Sequence, residues 1–213
     1  MNFEFARIAI AGIHTGIGKT IAAAVIAEAL GADYWKPVQA GIEERDVNVV
    51  ERLLTNGRAR VHDEAVLLTQ PLSPHAAAEI DRIKIDYKNF IWPKTDKILL
   101  VETAGGLLSP ISENATMADF MAYYQLPAIL VAQHYLGSIN HTLLTLEVLK
   151  NRGIHLLGII INGEENIPSE TFTEQYGHAT IIARIPYFER LDHHSISTCA
   201  AQIKHALLQA MAG

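Results

Sequence analysis

The chain predicts an α/β three-layer sandwich: a mostly parallel sheet with helices on both faces. Two observations carry this expectation. Apolar runs at residues 8–11, 98–102, 128–132 and 154–162 alternate with stretches of helical spacing, and strands apolar throughout are buried on both faces. Residues 12–20 read Gly-Ile-His-Thr-Gly-Ile-Gly-Lys-Thr, between an apolar strand and an alanine-rich helical segment, which is the setting of a phosphate-binding loop.

The elements are read in order. Residues 8–11 form the first strand and 21–30 the first helix. A second strand spans 32–36 and ends at Pro37, because the residue before a proline is pushed to extended geometry. Residues 46–54 have helical spacing, with Val47, Val50, Leu53 and Leu54 able to share a face. A short apolar segment at 65–68 and a Pro-Leu-Ser-Pro-His loop follow, with Ser73 as N-cap and Pro74 opening a helix through 80. Strand 98–102, helix 116–124, strand 128–132 and helix 140–151 come next, the last stopped by Gly153. Strand 154–162, helix 169–176, strand 180–185 and an amphipathic helix over 195–211 complete the pattern. No repeat or linker divides it, so residues 1–213 are expected to form one domain.

Composition narrows the function. Hydrophobic residues make up 49% and charged residues 19% of the chain, which excludes wholesale disorder. A formal charge of −6 argues against electrostatic nucleic-acid binding. Cys199 is the single cysteine and reads as a small core residue. No leader pattern opens the chain and no apolar run approaches the ~20 residues that span a bilayer, so a soluble cytoplasmic protein is expected. The ten histidines form no convincing metal set.

The loop supplies the chemistry. N–H groups at the start of the following helix point at one spot, where the macrodipole adds about half a positive charge. Lys19 would reach the β- and γ-phosphates and the Thr20 hydroxyl would bind Mg²⁺. The spacing is unusual: five residues separate Gly12 from Gly18, where the common pattern has four and would place a glycine at Ile13. An ordinary strand–helix turn is the alternative reading.

A parallel sheet gathers its ligands at the carboxyl ends of its strands. Lys36 stands at one tip, Asp46 beyond the next loop, and Glu102 at the end of a buried strand before Gly105-Gly106. Thr20, Asp46 and Glu102 with ATP oxygens suit the octahedral oxygen preference of Mg²⁺. Alternatively, Glu102 is a solvated strand-end acid and Asp46 a helix N-cap. Lys36 is either a snorkelling lysine or a second cation beside Lys19, able to neutralise a phosphoryl in transfer and an anionic nucleophile. Gly105-Gly106 makes a tight turn, lets substrate approach the backbone, or both.

At this point the set resembles the dethiobiotin synthetases, ligases with a P-loop nucleoside triphosphatase-like fold. Gly12-x5-Gly18-Lys19-Thr20 has that family's longer loop. Lys36-Pro37-Val38 with Gly41 resembles its K-P-V-x-x-G, followed by the acid at Asp46. Ser73-Pro74-His75 resembles its S-P-H, Glu102-Thr-Ala-Gly-Gly106 its E-G-A-G-G, and Gly137-Ser-Ile-Asn140-His141 its G-x-I-N-H, while Asn162 stands where its adenine-binding Asn follows a strand. The resemblance spans nearly the whole chain.

It implies that 7,8-diaminononanoate, CO₂ and ATP give dethiobiotin, ADP and phosphate through a carbamate and a carbamic–phosphoric anhydride. Lys19 and Lys36 are then catalytic, and Thr20, Asp46 and Glu102 hold Mg²⁺. Gly16, Ile17, Gly18, Lys19, Thr20, Ile21, Asp46, Glu102, Asn162, Pro186 and Tyr187 contact nucleotide. Thr15, Lys36, Ala40, Gly105, Gly106 and residues 136–140 (Leu136, Gly137, Ser138 and Asn140) contact substrate, the last group as a helix N-terminus offered by the other subunit of a homodimer.

The chain departs from the family pattern at four positions. His14 and Gly16 replace an Asp and an acidic or amide residue, Ala40 a hydroxyl residue, and Thr103 a glycine. Two rivals share the loop. A ParA/MinD-like ATPase switch carries an extra lysine early in the loop, absent from Gly12-Ile-His-Thr. A non-catalytic nucleotide-binding module is the other. A GTPase is disfavoured, because Asn162-Gly-Glu-Glu is not an Asn-Lys-x-Asp guanine signature.

Overall fold

The structure, a computed structural model, describes residues 6–55, 57 and 59–212. The leader-free start expected at residues 1–5 lies outside the described residues. The chain runs β1 (Arg7–Gly12), α1 (Lys19–Leu30), β2 (Asp33–Trp35), β3 (Val38–Ala40), α2 (Asp46–Leu53), β4 (Val61–His62), β5 (Val66–Leu68) and α3 (Pro74–Asp81). A 3₁₀ turn at Tyr87–Asn89 leads to β6 (Leu99–Glu102), β7 (Pro110–Ser112), β8 (Ala115–Thr116) and α4 (Met117–Tyr123). Then come β9 (Ala128–Ala132), α5 (Ser138–Asn151), β10 (Leu156–Asn162), α6 (Ile167–Gly177), β11 (Ile181–Ile185) and α7 (His193–Ala210).

The main sheet has the order β11-β10-β9-β1-β6-β2-β4, with every neighbouring pair parallel. From β1 the chain moves one way to β2 and β4, then returns through β6 and crosses to β9, β10 and β11. Right-handed crossovers in opposite directions put their helices on opposite faces. Accordingly α1 packs with α2 and α7, while α5 packs with α6. This is the three-layer arrangement the apolar strands predict.

The sequence explains the layers. β1, β6 and β9 are buried almost throughout, as strands covered on both faces must be. α1 is buried continuously from Ala22 to Ala29; small alanines let it sit close against the sheet with α7 over it. Its one buried acid, Glu28, accepts the Thr55 amide (3.1 Å) and hydroxyl (3.0 Å), tying α1 to the end of α2. Gly31 ends α1 in the left-handed region at φ 65°. Thr116 opens α4 with a capping box to Asp119, and Asp192 opens α7 with one to Ser195.

Four short strands, β3, β4, β7 and β8, lie where the sequence reading places no strand. β3 pairs with β5 in a separate two-stranded ladder, β4 forms the sheet's edge, and β7 pairs antiparallel with β8. Ser73 does occupy the N-cap of α3, but its hydroxyl makes no cap bond and lies 3.0 Å from His75 Nδ1. Cys199 is buried, and burial pushes its thiol up to about 11, consistent with a core role. Among the described residues no helix is long and apolar enough to cross a membrane.

Candidate active site

The phosphate loop leaves β1 at the centre of the sheet and is pinned from beneath. Ile13 and Ile17 are buried, and the Ile13 amide bonds the Val131 carbonyl of β9 (3.2 Å). Between these anchors Thr15 and Gly16 are exposed. Gly16 and Gly18 adopt φ 79° and 86°, which side chains resist. A Cβ at Gly18 would run into the Asn162 amide nitrogen, and one at Gly12 would sit 2.9 Å from both Ile17 Cδ1 and Lys19 Cδ. Gly12 therefore leaves room for the lysine to fold back over the loop.

α1 starts at Lys19 with no side-chain cap, and the first helical amide bond to close is Ala22 N–H to the Gly18 carbonyl (2.9 Å). The amides of Lys19, Thr20 and Ile21 have no carbonyl behind them in the helix, the arrangement that receives a phosphate. Lys19 Nζ donates to the His14 carbonyl (3.1 Å). Burial lowers its pKa to about 8; the Glu102 charge opposes the fall and Lys36 adds to it.

Register assembles the charged cluster. Ile10 pairs with Glu102, and Trp35 with Val101, so Lys36 comes level with Glu102 just beyond the strand ends. The Thr20 hydroxyl lies 3.1 Å from Asp46 Oδ1 and 3.0 Å from Glu102 Oε1. Lys36 Nζ is paired with Asp46 and lies 3.3 Å from Glu102 Oε1. Glu102 is 1% exposed and Lys36 7%, so neither the solvated acid nor the snorkelling lysine describes them. The N-cap of α2 is Arg45, in extended geometry, so Asp46 is the first helical residue rather than the cap.

Two supporting residues were not singled out from sequence. Tyr34, fully buried, donates its hydroxyl to Glu102 Oε2 (2.8 Å), and its pKa is driven well up by burial first and then by the Glu102 charge. Gln39 Oε1 accepts the Asp46 amide (3.3 Å). Residues two apart on a strand point the same way, so Tyr34 was findable as the neighbour of Lys36 on one face. Gln39 carries no such signal.

Thr20, Asp46 and Glu102 present oxygen donors only, which fits Mg²⁺. Among the described residues no three His, Cys, Asp or Glu side chains converge. Two carboxylates and a hydroxyl leave positions for phosphate oxygens and water.

The remaining expected residues fall into groups around this cluster. Gly105 (φ 72°) and Gly106 make a turn closed by Gly106 N–H to Ser109 Oγ (2.9 Å). A Cβ at Gly105 would run into Ser109 Oγ of the same turn, and one at Gly106 would lie 3.3 Å from His14 Cα of the phosphate loop. Gly105 is therefore confined by its own turn, and Gly106 by the phosphate loop. A groove of about 460 Å³ opens beside it, walled by Thr15, Leu107, Leu108, Leu144 and Val148 among others. Ala40 ends β3, its carbonyl accepting Gln39 Nε2 (3.3 Å).

On the other flank, Asn162 Nδ2 donates to the Ile17 carbonyl (2.8 Å). Pro186 and Tyr187 are exposed after β11; the Tyr187 ring lies against Gly163 and its hydroxyl accepts from Gln133 Nε2 (2.6 Å). Leu136 is fully exposed, Gly137 (φ 99°) precedes α5, Ser138 is buried and Asn140 exposed. The His14 ring lies edge-on to Tyr135 (5.1 Å, 84°) and His141 (6.2 Å, 71°).

Sheet order, loop and converging cluster define a nucleotide-binding protein of the P-loop class. A family model described as an AAA domain matches residues 6–195. Solved structures with the same fold include a plasmid partition protein of Borrelia burgdorferi bound to AMPPNP (TM-score 0.56, 13% identity, 96% of each chain) and a MinC:MinD complex of Aquifex aeolicus (TM-score 0.52, 18% identity, 97% of this chain and 96% of that one). At such identities these show the fold alone. The chain is 47% identical over 186 residues to the ATP-dependent dethiobiotin synthetase BioD of Christiangramia forsetii, covering 85% of this chain and 89% of that one. It is 41% identical over 197 residues to that of Agrobacterium fabrum, covering 92% and 93%. The chain belongs to the dethiobiotin synthetase family.

Proposed function

We propose that this chain is an ATP-dependent cyclo-ligase that converts 7,8-diaminononanoate and CO₂ to dethiobiotin, with ATP giving ADP and phosphate. The observation that carries the reading is one cluster of two lysines, two carboxylates and a threonine hydroxyl at the start of α1, in a chain this similar to the named synthetases.

The chemistry needs charge control rather than a protein nucleophile. One substrate amine adds to CO₂ and loses a proton, giving a carbamate. A carbamate oxygen attacks the γ-phosphorus and ADP leaves. The second amine then attacks the carbamoyl carbon, phosphate departs and the ring closes. Lys19 neutralises charge on the transferring phosphoryl, and Lys36, across Glu102 from it, meets carbamate and phosphate oxygens. Because both lysines are already buried and oriented, little reorganisation accompanies reaction. Thr20, Asp46 and Glu102 with ATP oxygens would hold Mg²⁺, which would supply further charge neutralisation.

Asn162 with Pro186 and Tyr187 binds adenine on the flank opposite the acids, while Gly16 to Ile21 hold the phosphates. Thr15, Ala40, Gly105 and Gly106 border the diamine. The segment Leu136–Asn140 of a second copy receives the substrate carboxylate, since a helix N-terminus favours an anion. This makes the working unit a homodimer, and its fully exposed Leu136 suits a contact surface. The compartment is cytoplasmic, with neither nucleic acid nor membrane as partner.

The test is incubation with the diamine, bicarbonate, Mg²⁺ and ATP, followed by mass spectrometry. Dethiobiotin formed in step with ADP is the expected result. Nucleotide binding without any dethiobiotin would refute the reading.

A further inference from the structure

Three consecutive residues between β9 and α5 reach three different parts of the site. Gln133 Nε2 donates to the Tyr187 hydroxyl (2.6 Å), His134 Nε2 donates to Glu170 Oε1 (2.8 Å), and Tyr135 carries the contacts to His14 and His141. The middle contact is the unusual one. Glu170 sits in the first turn of α6, nearly buried, and also accepts the Asn166 amide (3.0 Å) and Arg184 Nη2 on both oxygens (2.8 and 2.7 Å). Arg184 in turn donates from Nη1 to the Glu164 carbonyl (3.1 Å).

One carboxylate therefore fastens two loops. Through Asn166 and Arg184 it holds the segment that follows β10, whose last residue, Asn162, touches the phosphate loop at Ile17. Through His134 it holds the segment that turns into α5. Helix capping does not require it, because Asn166 Oδ1 already caps α6 at the Ser169 amide (3.1 Å). A buried ionic group is seldom the most stabilising choice, and apolar packing often replaces it without loss. What an interlocked carboxylate provides here is a fixed geometry between two loops.

We infer that Glu170 is a positioning residue, acting through His134 to couple the base side of the nucleotide site to the N-terminus of α5. Nucleotide that draws the segment following Asn162 inward orders residues 136–141, and by linkage an ordered α5 start favours nucleotide. The inference takes the diamine's identity from the proposed function, but the coupling itself involves only nucleotide and this chain.

Hydrogen exchange of residues 136–141 is measured on the full chain with and without Mg²⁺ and a non-hydrolysable ATP analogue. Wild type is expected to gain protection there by about fivefold or more, the lower range of an ordinary coupling. His134→Phe breaks this link while leaving the Glu170–Arg184 pair, and cuts that gain at least in half while the analogue still binds, the Gln133–Tyr187 and Tyr135–His14 contacts remaining. His134→Gln, whose amide can donate to Glu170, restores it. With substrate, His134→Phe raises KM for the diamine by a similar factor and leaves kcat little changed. If His134→Phe does not fold, His134→Ala takes its place with the same readout. Unchanged exchange in wild type, or a full response in the uncoupled variant, overturns the inference. Absence of dethiobiotin would instead refute the synthetase reading, since the exchange measurement uses no diamine.

Discussion

At the residue scale, the site depends on buried charges held by other charges. Lys36 is nearly enclosed by Asp46 and Glu102, and Lys19 is poised by its own loop carbonyl. Lys19→Ala and Lys36→Ala should each lower kcat by about 10²-fold or more, the usual consequence of deleting a preorganised charge donor. Steady-state assay checks this, and normal turnover by Lys36→Ala would remove its assigned role. Glu170 gives a pH signature. Its four hydrogen bonds, led by the Arg184 pair, outweigh burial and hold its pKa at about 2 against an ordinary 4.5. A depressed carboxylate contributes stability above its unfolded pKa and loses it as pH falls toward the folded one. The unfolding free energy of wild type should exceed that of Glu170→Gln at neutral pH. The gap should close between pH 4.5 and about 2, as read from urea curves at each pH.

Some residues were legible alone and others only through neighbours. Lys19 and Thr20 follow from local sequence, because a glycine turn between strand and helix dictates where they point. Glu102 was visible as an acid ending a buried strand, yet its enclosure depends on Tyr34 of β2 and Lys36 just after it. His14 shows the reverse. Read in sequence it alters charge beside the phosphates, whereas its ring lies against Tyr135 and His141, and only its carbonyl faces Lys19.

At the element scale, long apolar strands and capped helices announce themselves, while strands of two or three residues carry too little periodicity to read. β3, β4, β7 and β8 belong to that second kind. β3 nonetheless matters, since it places Gln39 under Asp46. α4 illustrates an element fixed by both levels: the capping box starts it, and Phe120 secures it against Tyr87, Phe90, Trp92 and Tyr124 with ring centroids 5.5–6.2 Å away. Phe120→Ala should cost about 3–5 kcal/mol, as large-to-small changes in well-packed cores do. Chemical denaturation measures it. KM for ATP should stay near the wild-type value, because none of these rings touches the phosphate loop.

For the whole molecule, the sheet order brings the chemistry together. Inserting β6 between β1 and β2 sets Glu102 between the phosphate loop and Lys36, and placing β9 and β10 on the other side of β1 gives Asn162 its own flank. The acids and the proposed base-binding residues are thus separated by the width of the loop. If a second copy supplies the α5 N-terminus, light scattering under assay conditions should give twice the chain mass, and a monomer with full activity would rule that out. Leu136→Asp should shift the equilibrium toward monomer, since it places a charge on a fully exposed apolar side chain at that surface.

The sequence by itself determined the α/β layering, the phosphate loop and the residue types of the charged cluster, because periodicity, glycine conformation and helix polarity are local. Even the five-residue spacing from Gly12 to Gly18 was readable there. Only the tertiary structure decided which strands adjoin, and hence that Tyr34 braces Glu102, that Asn162 braces Ile17 and that Glu170 ties His134 to Asn166. Those contacts join residues far apart in the chain, and strand order and register, which bring them together, leave no trace in any short stretch of it.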